Sequence, residues 1–162
     1  MSRLRIFSDQ NPHVVLFETE QSDAMAEKLA TLGVGFERWP IRAINDHDSN
    51  EEILAAYKPE IDELVINNGF NAVDVVSINP THPDREAMRA KFLNEHIHKE
   101  DEIRFFVRGS GLFTMHIGDK VYEILCQASD LIRVPDSTKH WFDMGPAPLF
   151  TAIRFFTEAD GW

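Results

Sequence analysis

The second half of the chain is a succession of short apolar segments, and no other feature of the sequence constrains the fold as strongly. After residue 95, segments of five to eight mostly apolar or β-branched residues alternate with turn-forming residues. The turn-forming residues are Gly109-Ser110-Gly111, Gly118-Asp119, Ser129-Asp130 and Gly145-Pro146. Regularly spaced short strands of this kind are typical of a β-sandwich or a β-barrel. The last strand is predicted at residues 149–156.

The first 93 residues instead predict a mixture of helices and strands. Short apolar or β-branched runs predict extended segments at residues 13–18, 34–39 and 74–78. Apolar residues at helical spacing also predict several helices. These begin at Ser22, at a capping box of Ser49 and Glu52, at Pro59 and at Asp84, and the first of them ends at Gly33. A chain of 162 residues is expected to form a single domain, in which residues 1–93 pack on a barrel core formed by residues 94–157.

Composition and charge narrow the range of partners. The formal net charge is −11, which argues against nucleic acid, because binding phosphates requires clustered Lys and Arg. The same charge disfavours anionic membrane surfaces, and no apolar run approaches the roughly 18 residues that span a bilayer. The single cysteine, Cys126, cannot form an internal disulfide, and the N-terminus lacks the apolar core of a signal peptide. We therefore expect a cytoplasmic protein that binds neither nucleic acid nor a membrane.

The segment from His96 to Glu102 (HIHKEDE) carries a pattern that is typical of a metal site. In a strand, His96 and His98 point to the same face, and a short turn over residues 99–101 lets Glu102 return to that face. Two imidazoles and a carboxylate suit a divalent ion such as Fe, Ni, Mn or Zn. A lone His-X-His pair is more often a surface or core feature. The carboxylate at this offset, together with His140 after a proline turn, favours the metal site.

The same residues match the motifs of a known superfamily. The first cupin motif, His-X-His followed by Glu and then by Gly seven residues later, is matched by His96, His98, Glu102 and Gly109. The second cupin motif is matched in part, since Pro135 and His140 are in place. Three of its usual residues are replaced, two glycines by Ser129 and Ser137 and an asparagine by Met144.

Longer strings make the resemblance more specific. EIRFFVRGSGLFTMH (102–116) and KHWFDMG (139–145) resemble the versions of these motifs in the acireductone dioxygenase family. Further matches are DLIRVP (130–135), AIRFF (152–156), GW (161–162) and, in the N-terminal half, DVVSINP (74–80). The resemblance implies a mainly β fold, a cupin-type β-barrel (double-stranded β-helix, jelly roll) with several flanking helices from the N-terminal half.

The resemblance also implies a metal centre and a reaction. The ligands would be His96, His98, Glu102 and His140, holding one Fe(2+) or Ni(2+) per chain and leaving two adjacent positions for an enediol. The reaction would be cleavage of the acireductone 1,2-dihydroxy-3-keto-5-methylthiopentene by O2 in methionine salvage. Iron would give the methylthio keto acid and formate, and nickel the shorter methylthio acid, formate and CO. Both metals remain open, because affinity favours nickel and cellular supply can override affinity.

Two arginines are candidate catalytic residues. Counted by two from Glu102, Arg104 points to the metal-facing side of its strand, and Arg154 lies among apolar residues. From the pattern alone, Arg154 is better explained as a strand residue that reaches solvent or a structural carboxylate. Members of the similar family place an arginine at both positions in the substrate pocket. There they would hold the enediolate and supply the positive field that an acidic chain otherwise lacks.

Four further residues are weaker candidates. Phe92, Phe142 and Trp162 are predicted to line the pocket around the methylthio tail, although core packing explains each of them equally well. Asp101 is a candidate proton acceptor, although a solvated turn carboxylate is the simpler explanation. The remaining histidines have no motif partner and are expected to be structural or exposed: His13, His47, His82 and His116.

Other functions use the same ligands. A different metal-dependent cupin enzyme, such as another dioxygenase or a sugar isomerase, is one alternative, and a cupin that only binds a small ligand or stores metal is another. The chain has no heptad pattern, and bacterial members of the similar family look monomeric, so a monomer is expected.

Overall fold

The computed structural model of the chain describes residues 1–158, which form nine strands and four helices. The strands are β1 (Arg3–Ser8), β2 (Asn11–Thr19), β3 (Gly35–Arg38), β4 (Ala72–Ile78), β5 (Glu102–Ile117), β6 (Lys120–Gln127), β7 (Asp130–Val134), β8 (Lys139–Asp143) and β9 (Phe150–Phe156). The helices are α1 (Ser22–Ala30), α2 (Asn50–Ala56), α3 (Lys58–Asn68) and α4 (Arg85–Leu93). The predicted mainly β fold with flanking helices is confirmed.

Strand β5 belongs to two sheets, and this determines the architecture. Its first half pairs with β7 and β9, which continue to β3 and β4, giving a first sheet in the order β3-β7-β5-β9-β4. Its second half pairs with β6 and β8, and β1 and β2 extend β6, giving a second sheet in the order β2-β1-β6-β5-β8. All these pairs are antiparallel, so the fold is a barrel-like sheet that curls around β5.

The side chains of β5 alternate between two apolar cores. Phe106 and Phe113 belong to an inner core between the sheets, to which α1 contributes Met25 and Leu29. Ile103 and Phe105 belong to an outer core on the far side of the first sheet. Helices α2 and α3 cover that outer core through Ile53, Tyr57 and Ile61. Because successive strand residues point to opposite faces, Glu102 and Arg104 point inward with Phe106.

The N-terminal half supplies strands as well as packing helices. The three extended segments predicted there correspond to β2, β3 and β4. The sequence did not predict β1, in which buried Leu4 and Ile6 alternate with more exposed Arg3 and Arg5 over only six residues. Since β1 and β2 join the second sheet and β3 and β4 join the first, residues 1–93 contribute four strands to the curled sheet as well as the helices that pack on it.

The helix predictions were largely confirmed, with two corrections that both concern α1. Ser49 and Glu52 form the predicted capping box, in which each side chain accepts a hydrogen bond from the other residue's backbone N–H, at 3.2 and 2.6 Å. Pro59 lies in the first turn of α3. Ser22 is not a cap, because Gln21 precedes the first helical residue and no side chain caps this end. Helix α1 ends at Ala30, earlier than predicted. None of the four helices within residues 1–158 is long and apolar enough to span a bilayer.

The turn predicted at Gly109-Ser110-Gly111 is wrong, because these residues lie in the middle of the 16-residue strand β5. Gly109 has φ +75° and lies where β5 leaves the first sheet and enters the second. A Cβ at this position would overlap the carbonyl oxygen of Leu149. The glycine therefore bends a continuous strand, which a sequence pattern cannot distinguish from a turn.

Replacing Gly109 should separate this steric requirement from backbone strain. We expect Gly109→Ala to lower the free energy of unfolding by about 3 kcal/mol or more, since it adds an overlap to the left-handed strain. The control is Gly69→Ala, because Gly69 has φ +70° and no atom within 4 Å of the added Cβ. It should cost only about 1 kcal/mol. Urea denaturation measures both variants, and equal losses would contradict the role given to Gly109.

Candidate metal centre

Three histidines and one glutamate converge between the two sheets. His96 and His98 follow α4, Glu102 begins β5, and His140 lies on β8. One ligand-type atom from each of these residues lies within 4.8 Å of the others. Glu102 and His140 are buried, and the other two side chains are half-buried. The four residues predicted to ligate a metal are therefore brought together by the fold.

Backbone hydrogen bonds position His96 and His98, the first two histidines of the cluster. The backbone N–H of His96 donates to the carbonyl of His140 at 2.9 Å, and His140 returns the bond at 3.0 Å. Such directly opposed residues present their side chains on one side, and the two ring centroids are 4.5 Å apart. Ser137 donates its N–H to the carbonyl of His98 at 2.8 Å. His96 and His98 therefore do not lie in the strand that the sequence predicted. His96 forms a single β-bridge with His140, and the hydrogen bond from Ser137 holds the backbone of His98.

Two serines of the second motif keep the backbone that glycine would adopt. Ser129 has φ +83° and Ser137 has φ +60°, both in the left-handed region that favours glycine. Ser129 donates its N–H to Phe106 and accepts from Trp39 at its carbonyl, so its conformation is fixed by neighbouring strands. The two serines therefore adopt the left-handed backbone conformation for which the motif usually has glycine.

Backbone carbonyls orient two of the imidazoles. The Nδ1 atom of His96 lies 2.6 Å from the carbonyl oxygen of Asn94, and that of His140 lies 2.7 Å from the carbonyl oxygen of Thr138. A carbonyl can only accept, so each Nδ1 carries a hydrogen and Nε2 is directed to the cluster. Second contacts of this kind are typical of metal-bound histidines. The donor set therefore fits a divalent cation in chemistry and in orientation.

The carboxylate of Glu102 is shared among several neighbours. One oxygen lies 2.7 Å from Nε2 of His140 and 3.2 Å from Nε2 of His98, and the other lies 3.1 Å from Nη2 of Arg104. Burial opposes ionisation, but the charge of Arg104 and the hydrogen bonds from the two histidines outweigh it. The pKa of Glu102 is therefore well below its ordinary value. The site holds a carboxylate, which is the form that binds a cation.

The pKa values of His96 and His140 are shifted in opposite directions. Burial lowers the pKa of His96, with smaller contributions from the neighbouring imidazoles. Burial also opposes the charged form of His140, but its contact with Glu102 raises its pKa above the ordinary value. In the metal-free chain the contact with Glu102 therefore favours a proton on Nε2 of His140. A bound cation would replace that proton and use the same two atoms.

Arg104 is enclosed by aromatic rings. Its guanidinium carbon lies 4.5 Å from the ring centroid of Phe142, 5.2 Å from that of Phe92 and 5.4 Å from that of Phe113. Only 1% of the residue is exposed. The contact between a guanidinium and ring faces is favourable and compensates in part for lost hydration. Phe92 and Phe142, which were predicted to line the pocket, therefore surround Arg104. Phe113 adds a third ring that the sequence did not single out. Trp162, the third predicted pocket residue, lies outside the described residues.

Arg154 lies on β9 directly opposite Arg104. Its guanidinium makes two hydrogen bonds to Asp74 on β4, at 2.8 and 2.6 Å. Asp74 was not a predicted site residue, because a single charged residue beside a β-branched run has no signal of its own. Only the pairing of β4 with β9 reveals its position.

Asp101 faces away from the four donors. Its carboxylate accepts a hydrogen bond from Nε of Arg133 at 2.8 Å and one from the backbone N–H of Asp136 at 3.0 Å, and it lies 2.7 Å from Nη2 of Arg133 in an ion pair. Among residues 1–158, the histidines without a motif partner also stay outside the donor cluster. One of them, His116, contacts Asp9 and Glu95 at 3.1 and 3.3 Å.

Comparison with known proteins agrees with this geometry. The family model described as the ARD/ARD′ family matches residues 3–162. The chain belongs to the ARD/ARD′ family. An acireductone dioxygenase of Xanthomonas oryzae pv. oryzae (strain MAFF 311018) is 59% identical over 163 aligned residues, which cover 100% of this chain and 87% of that protein. An acireductone dioxygenase of Xylella fastidiosa (strain 9a5c) is 57% identical with the same coverage.

A solved structure extends the ARD/ARD′ similarity to three dimensions. The acireductone dioxygenase from Bacillus anthracis with a cadmium ion in its active centre superposes with a TM-score of 0.86 at 29% identity. The match covers 100% of this chain and 96% of that one. The predicted family and the predicted cupin-type barrel are therefore confirmed.

The buried Glu102–Arg104 ion pair is expected to stabilise the metal-free protein in a pH-dependent way. Glu102→Gln should lower the free energy of unfolding at pH 7 by about 3 kcal/mol or more, because Arg104 stays buried without its carboxylate. Folding lowers the pKa of Glu102, so its ionised side chain stabilises the folded state fully above the ordinary pKa of 4.5. This stabilisation is lost progressively as the pH falls from 4.5 toward the lowered pKa. The difference between the two proteins should therefore shrink in acid.

Urea denaturation in the presence of a chelator, at pH 7 and at about pH 3, measures this effect. The control is Asp62→Asn, which removes the carboxylate of the exposed Lys58–Asp62 pair. It should change the free energy of unfolding by less than about 1 kcal/mol at either pH. A loss in Glu102→Gln that is small, or that does not depend on pH, would argue against the buried pair.

Proposed function

We propose that the chain is an acireductone dioxygenase. It oxidises 1,2-dihydroxy-3-keto-5-methylthiopentene with O2, incorporating both oxygen atoms, and so takes part in methionine salvage. The observation that supports this most strongly is the cluster of His96, His98, Glu102 and His140, with Arg104 bonded to its carboxylate. That cluster lies in a chain of the ARD/ARD′ family that is 59% identical to an acireductone dioxygenase.

The proposed metal ligands are the four residues of the cluster, and the proposed ion is Fe(2+) or Ni(2+), one per chain. Nitrogen and carboxylate donors suit either ion, and both fit the orientation of the imidazoles. When bound, the ion would supply Lewis acidity that binds and orients the enediolate. The iron form is expected to give the methylthio keto acid and formate, and the nickel form the methylthio carboxylic acid, formate and CO.

The proposed role of Arg104 and Arg154 is to bind the enediolate. Both lie on the inner face of the first sheet, directly opposite each other, and together they bring positive charge to a chain with a net charge of −11. Arg104 also holds one oxygen of Glu102 at 3.1 Å, which fixes the carboxylate for its other contacts. Charged donors that are positioned before the reaction stabilise charge as it develops.

Aromatic rings are proposed to line the rest of the pocket. Phe92 and Phe142 enclose Arg104, so they exclude water from its ion pair and offer an apolar surface to the methylthio group. Trp162 remains a prediction for the same role. Asp101 remains a candidate proton acceptor only as a prediction, since its ion pair with Arg133 and its hydrogen bond from Asp136 point to fixing the turn at 99–101.

The cellular setting follows from the activity. We propose a cytoplasmic monomer whose partners are the acireductone and O2, and which binds neither nucleic acid nor a membrane. This agrees with the acidic composition and with the single buried cysteine, Cys126.

Turnover by protein loaded with one metal at a time tests the proposal. Metal-free protein is loaded anaerobically with iron or with nickel, mixed with synthetic acireductone and air, and keto acid, formate and CO are quantified. Each form should consume O2 at least about tenfold faster than the spontaneous decay, and CO should form with nickel only. Arg104→Ala should bind metal normally yet lose at least about tenfold in kcat/KM.

Two results would favour other functions. Full metal binding with acireductone decay at the spontaneous rate would favour a cupin that stores metal or binds a ligand. Unchanged kinetics in Arg104→Ala and Arg154→Ala, combined with inactive ligand variants, would favour a different metal-dependent cupin enzyme.

A further inference from the structure

Three charged residues form a row across the first sheet. Asp74 on β4 is directly opposite Arg154 on β9, and Arg154 is directly opposite Arg104 on β5. Residues directly opposite in an antiparallel pair project from the same face. Asp74 shares its face with Val76 and Ile78, which pack in the inner core. The row therefore lies on the inner face, on the same side as Glu102.

The three charges of the row are negative, positive and positive, and Glu102, which precedes Arg104 by two residues on the same face of β5, adds a negative charge beside Arg104. Like charges directly opposite each other on a sheet are unfavourable. Each arginine has a carboxylate on its far side, Asp74 for Arg154 and Glu102 for Arg104. The two carboxylates thus hold two arginines of adjacent strands on one face of the sheet, and paired arginines are suited to binding an anion.

The two carboxylates differ in their surroundings. The side chain of Glu102 is 3% exposed and also contacts two histidines, whereas that of Asp74 is 45% exposed and lies on β4, an edge strand of the sheet. An exposed ion pair contributes little to stability. The contact with Arg154 nevertheless uses both carboxylate oxygens, which fixes the plane of the guanidinium as well as its position. The Asp74–Arg154 contact therefore fixes the orientation of the Arg154 side chain and adds little to the stability of the fold.

We propose that Asp74 is a positioning residue of the active site, which orients the guanidinium of Arg154 for binding the substrate enediolate. The inference rests on the proposed function, because it requires Arg154 to bind that anion. Asp74 touches neither the metal ligands nor Arg104 directly, and it acts only through Arg154. The two hydrogen bonds to the carboxylate hold the guanidinium of Arg154 in one plane, on the inner face that it shares with Arg104.

Substitution of Asp74 tests the inference in the metal-loaded protein. Asp74→Asn keeps the shape of the side chain and removes its charge, so the orientation of Arg154 is lost. We expect KM for acireductone to rise about tenfold and kcat to stay within about threefold of the wild type. Binding of acireductone without O2, followed by its ultraviolet absorbance, should weaken by a similar factor. Asp74→Glu, which restores the carboxylate, should recover most of the affinity.

A double-mutant cycle shows whether Asp74 acts through Arg154. In an Arg154→Ala background, Asp74→Asn should have no further effect on KM or on anaerobic binding. The matched control is Asp62→Asn, which removes an exposed carboxylate from the Lys58–Asp62 pair on α3 and should change neither quantity. Metal content and Tm (within about 3 °C) should match the wild type in both single variants.

The outcomes separate this inference from the proposed function. If the wild type neither binds nor oxidises acireductone, the proposed function fails and the inference fails with it. If the wild type is active and Asp74→Asn has the same KM, only the role of Asp74 is overturned. A loss that persists in the Arg154→Ala background, or one that affects kcat and Tm without KM, overturns it as well.

Discussion

The carboxylate of Glu102 lies in an apolar interior and is compensated from two sides, by Arg104 and by the imidazoles of His98 and His140. Removing two charges from water costs several kcal/mol per ion unless every remaining contact is made. Here the aromatic rings around Arg104 and the second hydrogen bond of His140, to Thr138, supply those contacts. The interaction joins the apolar core to the metal ligands, so the packing of the core and the chemistry of the site depend on the same residues.

The path of β5 makes this interaction possible. The strand begins at Glu102, places Arg104 inward, bends at Gly109 and continues into the second sheet, where it pairs with the strand that carries His140. The bend joins the two sheets through one chain segment. Glu102 and His140, which are far apart in sequence, are thereby held on paired strands, and backbone hydrogen bonds to the segment 137–140 hold His96 and His98. A site of this kind needs little rearrangement when an ion binds.

Much of this arrangement could be predicted from the sequence. The spacing of His96, His98 and Glu102, with His140 downstream, identified the cluster, and family resemblance identified the fold. Strict alternation placed Arg104 inward because a strand has no freedom in which face a residue takes. The capping box at Ser49 and the helix at Pro59 were also predictable, since these signals depend on neighbouring residues alone.

The remaining features depend on contacts between distant residues. Gly109 resembles a turn in sequence, and only the nearby carbonyl of Leu149 explains why it bends a strand. His96 owes its position to a bridge with His140, which local propensity does not encode. Asp74 gains its importance from the pairing of β4 with β9, and six-residue β1 is defined mainly by the neighbours on which it packs. Pairing register was therefore the information that the sequence pattern lacked.

The most direct test of the central claim is a crystal structure of the nickel-loaded protein, with the metal located by anomalous scattering. The account predicts one ion per chain, bonded to Nε2 of His96, His98 and His140 and to a carboxylate oxygen of Glu102, with nitrogen and oxygen distances near 2.1 Å. The Nδ1 atoms of His96 and His140 should keep their bonds to Asn94 and Thr138. An ion bound through Nδ1, or held at His116 between Asp9 and Glu95, would contradict the account.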